Sequence, residues 1–271
     1  MQKTSTKLLL IIYFLLFSPH IFATDEAKEK RWASQISDSL LTGEAVYLPR
    51  KSGKFLAIYT ENQTKDAYGV VILLHGIGAH PDWPEVIHPL RTELPEYGWS
   101  TLSIQMPVLA NDKNSNDYIP LMDEVAERIN AALAYLKKKK IYNMVIMGHS
   151  LGTVMSAHYL STTPRTKLRA YVGISMVEID NNKNDKVKGN ITALKKIKIP
   201  VLDIYGSEDN TSVISNAKTR KNAANKNRNT RYHQVMIRGA DHFYHGYEDQ
   251  LIKRIRSWLK KYAAGTEINL K

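Results

Sequence analysis

Gly148-His149-Ser150-Leu151-Gly152 places a serine between glycines two positions away on either side. The stretch follows the apolar run Met144 to Met147, which reads as a strand, and opens Leu151 to Leu160, which reads as a helix. A serine on such a strand-to-helix turn holds its hydroxyl above the end of a sheet, and the glycines remove side chains that would clash in so tight a bend. The chemistry this suits is attack on an acyl carbon, with Ser150 as nucleophile. A hydroxyl attacks poorly at neutral pH, so it needs a base, usually a histidine oriented by a carboxylate.

Two later loops supply those groups. Gly206-Ser207-Glu208-Asp209 follows Val201 to Tyr205, and Gly239-Ala240-Asp241-His242-Phe243 follows Tyr232 to Ile237. Both runs read as strands, so Asp209 and His242 fall at strand carboxyl ends, in the chain order serine, acid, histidine. Glu208 is a rival acid beside Asp209, and Asp180, after an earlier strand, is a displaced one. Asp203 lies within a strand and Asp241 abuts the histidine, so both fit less well. His245 is the rival base, His149 is bound up in the turn itself, and His158 and His233 read as structural.

A tetrahedral intermediate needs donors for its oxyanion. The backbone N–H of Leu151 is one candidate, and the N–H of Ile77 is the other, in the loop His75-Gly76-Ile77-Gly78 that directly follows the apolar run Val70 to Leu74. Gly76 lets the backbone approach a substrate, and His80 and Trp83 are candidate substrate contacts at the rim. His80 and Asp82 invite a metal reading, but two potential ligands without a third are weak, and no metal or other cofactor is expected.

Positioning these residues requires a mostly parallel sheet. Phe55 to Thr60, Gly69 to Leu74, Thr101 to Gln105, Met144 to Met147, Ala170 to Ile174, Val201 to Tyr205 and Tyr232 to Ile237 read as strands, several of them apolar throughout, as strands buried on both faces are. Val86 to Leu94, Ile119 to Lys138, Leu151 to Leu160 and Asn210 to Asn225 read as helices between them, with Pro84 suiting the start of the first. In the last helix Tyr247, Leu251, Ile252, Ile255, Trp258, Leu259 and Tyr262 recur at helical spacing, so that helix covers the sheet. Residues 107–120 and 177–199 are long connections. The second sits where a lid would be, but its length allows a flap or one short helix rather than a cap domain.

The run His75-Gly76-Ile77-Gly78-Ala79-His80-Pro81-Asp82-Trp83-Pro84, with Pro89-Leu90-Arg91 and Gly98-Trp99-Ser100-Thr101-Leu102-Ser103, resembles a family of uncharacterised bacterial α/β-hydrolase-like proteins with exported members. The resemblance extends through Ser150 to His242. It implies the α/β-hydrolase fold, with helices on both faces of the sheet and a small lid or none, and a triad of Ser150, Asp209 and His242. It implies no substrate.

Lys3 and Lys7 precede an apolar run, Leu8 to Phe17, that suits a signal peptide and is too short to span a bilayer. Cleavage after Ala23 would leave residues 24–271 as one domain in the periplasm, or secreted. The 271 residues include no cysteine, so the fold uses no disulfide, and the formal charge is +12. The basic stretches Lys137 to Lys140, Lys183 to Lys198 and Lys218 to Arg231 lack the interleaved aromatics of a nucleic-acid surface, so no nucleic acid is expected. Solvated faces account for them, with attraction to an anionic envelope surface as the further reading. The expectation is a serine hydrolase acting on a small-molecule or lipid-like ester or thioester, its oligomeric state open. The alternative is an envelope-associated binding or assembly protein with little activity on the same fold.

Overall fold

The computed structural model describes residues 24–163, 166–179 and 187–265. The expected leader, residues 1–23, and the rival acid Asp180 lie outside the described residues. The strands are β1 (Glu44–Arg50), β2 (Gly53–Thr60), β3 (Gly69–Leu74), β4 (Trp99–Ile104), β5 (Met144–His149), β6 (Ala170–Ile174), β7 (Val201–Gly206) and β8 (Tyr232–Ile237). The helices are α1 (Glu26–Ser39), α2 (Ile87–Glu93), α3 (Met122–Lys138), α4 (Leu151–Thr162), α5 (Asn190–Leu194), α6 (Thr211–Lys226) and α7 (Glu248–Tyr262). They surround one sheet of order β1-β2-β4-β3-β5-β6-β7-β8. β2 runs antiparallel to both β1 and β4, and every other pairing is parallel.

Strand periodicity divides the core in two. Val70, Ile72 and Leu74 of β3 point to one face and pack with residues of α3, α4 and α5, while Val71 and Leu73 point to the other and pack with α2 and α7. All six residues of β3 are buried, as are those of β4 and β5, which is why these strands, apart from His149 at the end of β5, are apolar or small rather than alternating. On the α7 side, Leu251, Ile252, Ile255, Trp258 and Leu259 are buried as their spacing requires.

Two elements leave weak sequence signals. α1 buries only Lys28, Glu29 and Ile36, so it carries no broad apolar stripe. β1 buries only Leu48 and contains Pro49, which an edge strand tolerates. The helix expected over Val86 to Leu94 is α2, which begins one residue later, at Ile87 after Val86, whose φ is 60°; Pro84 lies in the turn before it, in which His88 N–H donates to the Trp83 carbonyl at 2.9 Å. Likewise the helix expected from Ile119 begins at Met122, after a 3-10 helix, Ser115–Leu121, that Asn114 and Asp117 close with a capping box. The described part of 177–199 holds the single short helix α5.

Candidate active site

Ser150 sits between β5 and α4 at φ 52°, ψ −121°, a strained conformation for a residue with a side chain. The bend is tight enough that a Cβ on Gly152 would lie 2.3 Å from the Leu74 carbonyl oxygen, so glycine is required there. Ser150 N–H donates to the Ile174 carbonyl at 3.0 Å, tying the turn to the end of β6.

The loops after β7 and β8 close on each other: Glu208 N–H donates to the Ala240 carbonyl at 2.9 Å, and a Cβ on Gly206 would lie 2.0 Å from that same oxygen. This contact brings Asp209 and His242 together. His242 Nδ1 is 2.6 Å from Asp209 Oδ1, and His242 Nε2 is 3.0 Å from Ser150 Oγ. The carboxylate accepts from Nδ1–H, which leaves the Nε2 lone pair facing the serine hydroxyl, the tautomer a general base needs. All three residues are buried, Ser150 to 8% and His242 to 9% exposure.

The rivals are placed elsewhere. Glu208 is exposed. Asp203 is fully buried in a bidentate pair with Arg220, at 2.8 and 3.2 Å. Asp241 holds the exposed His245 at 2.7 Å. His149 Nε2 lies 3.0 Å from the His242 carbonyl, and burial lowers its pKa to about 4, so it donates there as a neutral ring. His158 accepts from Lys188 N–H and His233 from the Trp258 indole, at 3.0 and 3.1 Å.

Sequence reasoning missed two members of this cluster. Ser175, the first residue past β6, has φ 53° and donates from Oγ to Asp209 Oδ2 at 2.5 Å; Tyr244, with φ 61°, places its hydroxyl 3.2 Å from Ser175 Oγ. The only signal for Ser175 was its position at a strand carboxyl end. Burial by itself would raise the Asp209 pKa, but the bonds from His242 and Ser175 outweigh it and hold the carboxyl below its ordinary value.

On the opposite side of Ser150, Gly76 comes so close that a Cβ there would meet Ser150 Cβ at 3.1 Å. His75 orients this loop. Its Nε2 lies 2.9 Å from the Met106 amide and 3.0 Å from Gln105 Nε2, both donors, so the proton is on Nδ1, which donates to the Gly76 carbonyl at 2.8 Å. Burial drives the His75 pKa down to about 3, which keeps the ring neutral. In a trans peptide the carbonyl and the next N–H point in opposite directions, so anchoring the Gly76 carbonyl turns the Ile77 N–H away from His75. Leu151 opens α4, where first-turn N–H groups have no partner within the helix.

His80 and Trp83 are half-buried and meet edge to face at 5.2 Å between ring centroids. Asp82 is occupied: Arg91 donates to its Oδ1 from Nε and Nη2 at 2.9 and 2.6 Å, and His88 Nδ1 lies 2.8 Å away. The stretch His75 to Pro84 therefore includes a clamp between its own loop and α2. Among the described residues no group of three or more acidic, histidine or cysteine side chains is arranged to hold a metal. Ile77 and Phe243, next to the loop glycine and the histidine, are large apolar side chains left 38% and 39% exposed.

The structure has solved relatives. Est1E from Butyrivibrio proteoclasticus superposes with a TM-score of 0.59 at 18% identity, over 82% of this chain and 99% of its own. XC6422 from Xanthomonas campestris, described as an α/β serine hydrolase without a lid, gives 0.60 at 14% identity, over 83% and 97%. The Pyrococcus furiosus esterase Pf2001 gives 0.64 at 14% identity, over 84% and 94%. These similarities show the α/β-hydrolase fold. No curated protein matches the chain. The family described as a protein of unknown function, DUF3530, matches residues 8–120 and 111–261, and the chain belongs to that family.

Proposed function

We propose that this protein is a serine hydrolase that cleaves an ester or thioester through an acyl-enzyme. The observation that carries the reading is the line of short contacts from Ser150 Oγ through the His242 ring to Asp209, at 3.0 and 2.6 Å. Ser150 attacks the acyl carbon as its proton passes to His242 Nε2. Asp209 stabilises the resulting imidazolium and keeps the ring oriented. The N–H groups of Ile77 and Leu151 receive the oxyanion. His242 then protonates the leaving oxygen or sulfur, and the same ring activates the water that releases the acid. Ile77 and Phe243 give the mouth of the site an apolar lining, which suits an acyl or aromatic group more than a sugar hydroxyl. His80 and Trp83 contribute a further aromatic wall.

Treatment of the purified protein with a fluorophosphonate tests this reading. Labelling should map to Ser150 and vanish in Ser150→Ala, and a panel of esters of graded acyl length should reveal turnover that the same substitution removes. Labelling that persists in Ser150→Ala would overturn the proposal. Labelling without turnover of any ester would favour a binding protein on a hydrolase fold.

A further inference from the structure

Of the residues α1 buries, Lys28 and Glu29 carry charge, and following their bonds leads to the loop that holds Ile77. Glu29 accepts from Arg128 Nη2 at 2.8 and 3.1 Å, and Arg128 itself is fully buried. Arg128 Nη1 donates to the Gln105 carbonyl at 2.8 Å, and Gln105 and Met106 are the residues that hold His75 Nε2. His75 in turn fixes the Gly76 carbonyl, and with it the direction of the Ile77 N–H.

Other contacts converge on the same loop. Thr24 Oγ1 bonds the carbonyl and amide of Val108 at 3.0 and 2.8 Å, and Asp25 N–H donates to the same carbonyl at 2.7 Å. Lys28 Nζ reaches the Leu109 carbonyl at 3.1 Å and Asn111 Oδ1 at 2.7 Å. The Leu109 amide then donates to the Tyr118 hydroxyl at 3.0 Å, and the Gly78 amide faces that phenol oxygen as well. Directly, Trp32 of α1 meets His80 edge to face at 5.3 Å. The loop is thus held at His75, Gly78 and His80, each time through α1 or a segment that α1 grips.

Stability alone does not account for this design. Removing a carboxylate and a guanidinium from water costs about as much as their attraction returns, and apolar side chains of similar volume would hold a helix at least as well. What a buried ion pair provides is a fixed geometry, here for residues 105–111 and the loop behind them. We infer that α1 is a positioning element for the candidate oxyanion loop, with Glu29 and Arg128 as its positioning residues. The catalytic part of this inference rests on the hydrolase reading; the structural part does not.

The test compares Glu29→Gln, Trp32→Leu and the apolar pair Glu29→Leu with Arg128→Met against Ser34→Ala, an exposed control on the same helix. Amide hydrogen exchange across 75–80 should quicken by about tenfold or more in the first three and stay unchanged in the control. Turnover of an ester should fall at least about tenfold with KM nearly constant, short of the roughly 10²–10³-fold cost of deleting an oxyanion donor outright. The apolar pair is decisive: Arg128→Met also takes a partner from Glu124 and the Gln105 carbonyl, so its melting temperature should recover only in part, while kcat should stay low at temperatures where the variant is fully folded. Recovery of both would show that α1 only stabilises and would overturn the inference, as would unchanged exchange at 75–80 while α1 itself exchanges freely. If Glu29→Gln fails to fold, Trp32→Leu carries the comparison. If the unaltered protein neither labels nor turns over, the hydrolase reading fails, and hydrogen exchange still decides the role of α1.

Discussion

The environments of Asp209 and Glu208 differ sharply although they are neighbours in the chain: one is buried between His242 and Ser175, the other is exposed. Asp209→Asn should therefore lower ester turnover by roughly 10⁴-fold, because an amide favours the wrong imidazole tautomer, while Glu208→Gln should leave it near normal. Equal losses in the two variants would remove the distinction. Ser175→Ala deletes a hydrogen bond to a charged group, worth about 1.5–3 kcal/mol, so turnover should drop about ten- to a hundredfold. It should also change acid sensitivity. A carboxyl held below its ordinary value stabilises the fold above that value, and the contribution is lost as pH falls through the depressed pKa. Without Ser175, Asp209 titrates higher, so acid unfolding should begin at a higher pH; an unshifted acid midpoint would argue against this bond. The positions of Ser150, Asp209 and His242 were legible because each stands beside a strand end with a glycine nearby. Ser175 was not, because a lone serine after a strand is common and its partner lies 34 positions away. The clamp of Asp82 by Arg91 was equally hidden: a charged residue in a motif reads as a site, and only its partner reveals a strut.

At the scale of elements, a buried carboxyl helps tie down the start of α5, beside the Asn190 side chain and the buried Ala193 and Leu194. Glu178 Oε1 accepts the Ile191 amide at 2.9 Å, and burial pushes the Glu178 pKa up from 4.5 to about 7 against the pull of that amide and Arg220, with Asp203 adding to the rise. A raised carboxyl stabilises the fold fully below its unfolded pKa, and the contribution is lost as pH climbs through the folded value. Stability should accordingly decline between about pH 4.5 and 7 by up to about 3 kcal/mol. Glu178→Gln should flatten that decline in denaturant titrations run across the range. A decline of the same size in the variant would place its source elsewhere. Strands such as β3 and β5 were readable because double burial forces an apolar run, and α7 because one face of a covering helix must be apolar. α1 and β1 escaped for the converse reason. Polar bonds and a narrow apolar contact of Trp32, Ala33 and Ile36 with Leu56 and Ile58 hold α1, and Leu48 alone is buried in the edge strand β1, so the periodic signal of each is short and weak.

Address and surface belong to the scale of the whole molecule. No helix among the described residues is long and apolar enough to cross a membrane. Lys3, Lys7 and the apolar run that follows lead us to expect a mature product starting at Thr24 in the periplasm; N-terminal sequencing that returns Met1 from a membrane fraction would refute this. Of the basic residues from Lys218 to Arg231, Arg220 alone is buried, against Asp203, and the others are exposed. If the remaining lysines hold the protein on anionic envelope material, binding to anionic vesicles should fade as the screening length shrinks from about 10 Å at 0.1 M salt to about 3 Å at 1 M. No binding at low salt would leave a solvated surface. The backbone strain around the site has an evolutionary consequence. Ser150, Ser175 and Tyr244 all adopt positive φ, where glycine would be more comfortable. At Ser150 that strain is tolerated only while selection for turnover opposes selection for robustness. In a lineage released from its substrate Ser150 should be among the first to drift to glycine, and relief of its strain would make the protein sturdier, whereas Ser175 bonds the buried Asp209 and Tyr244 fills the core, so both should stay. Glycine at 150 would then mark a descendant that has given up catalysis and kept the fold.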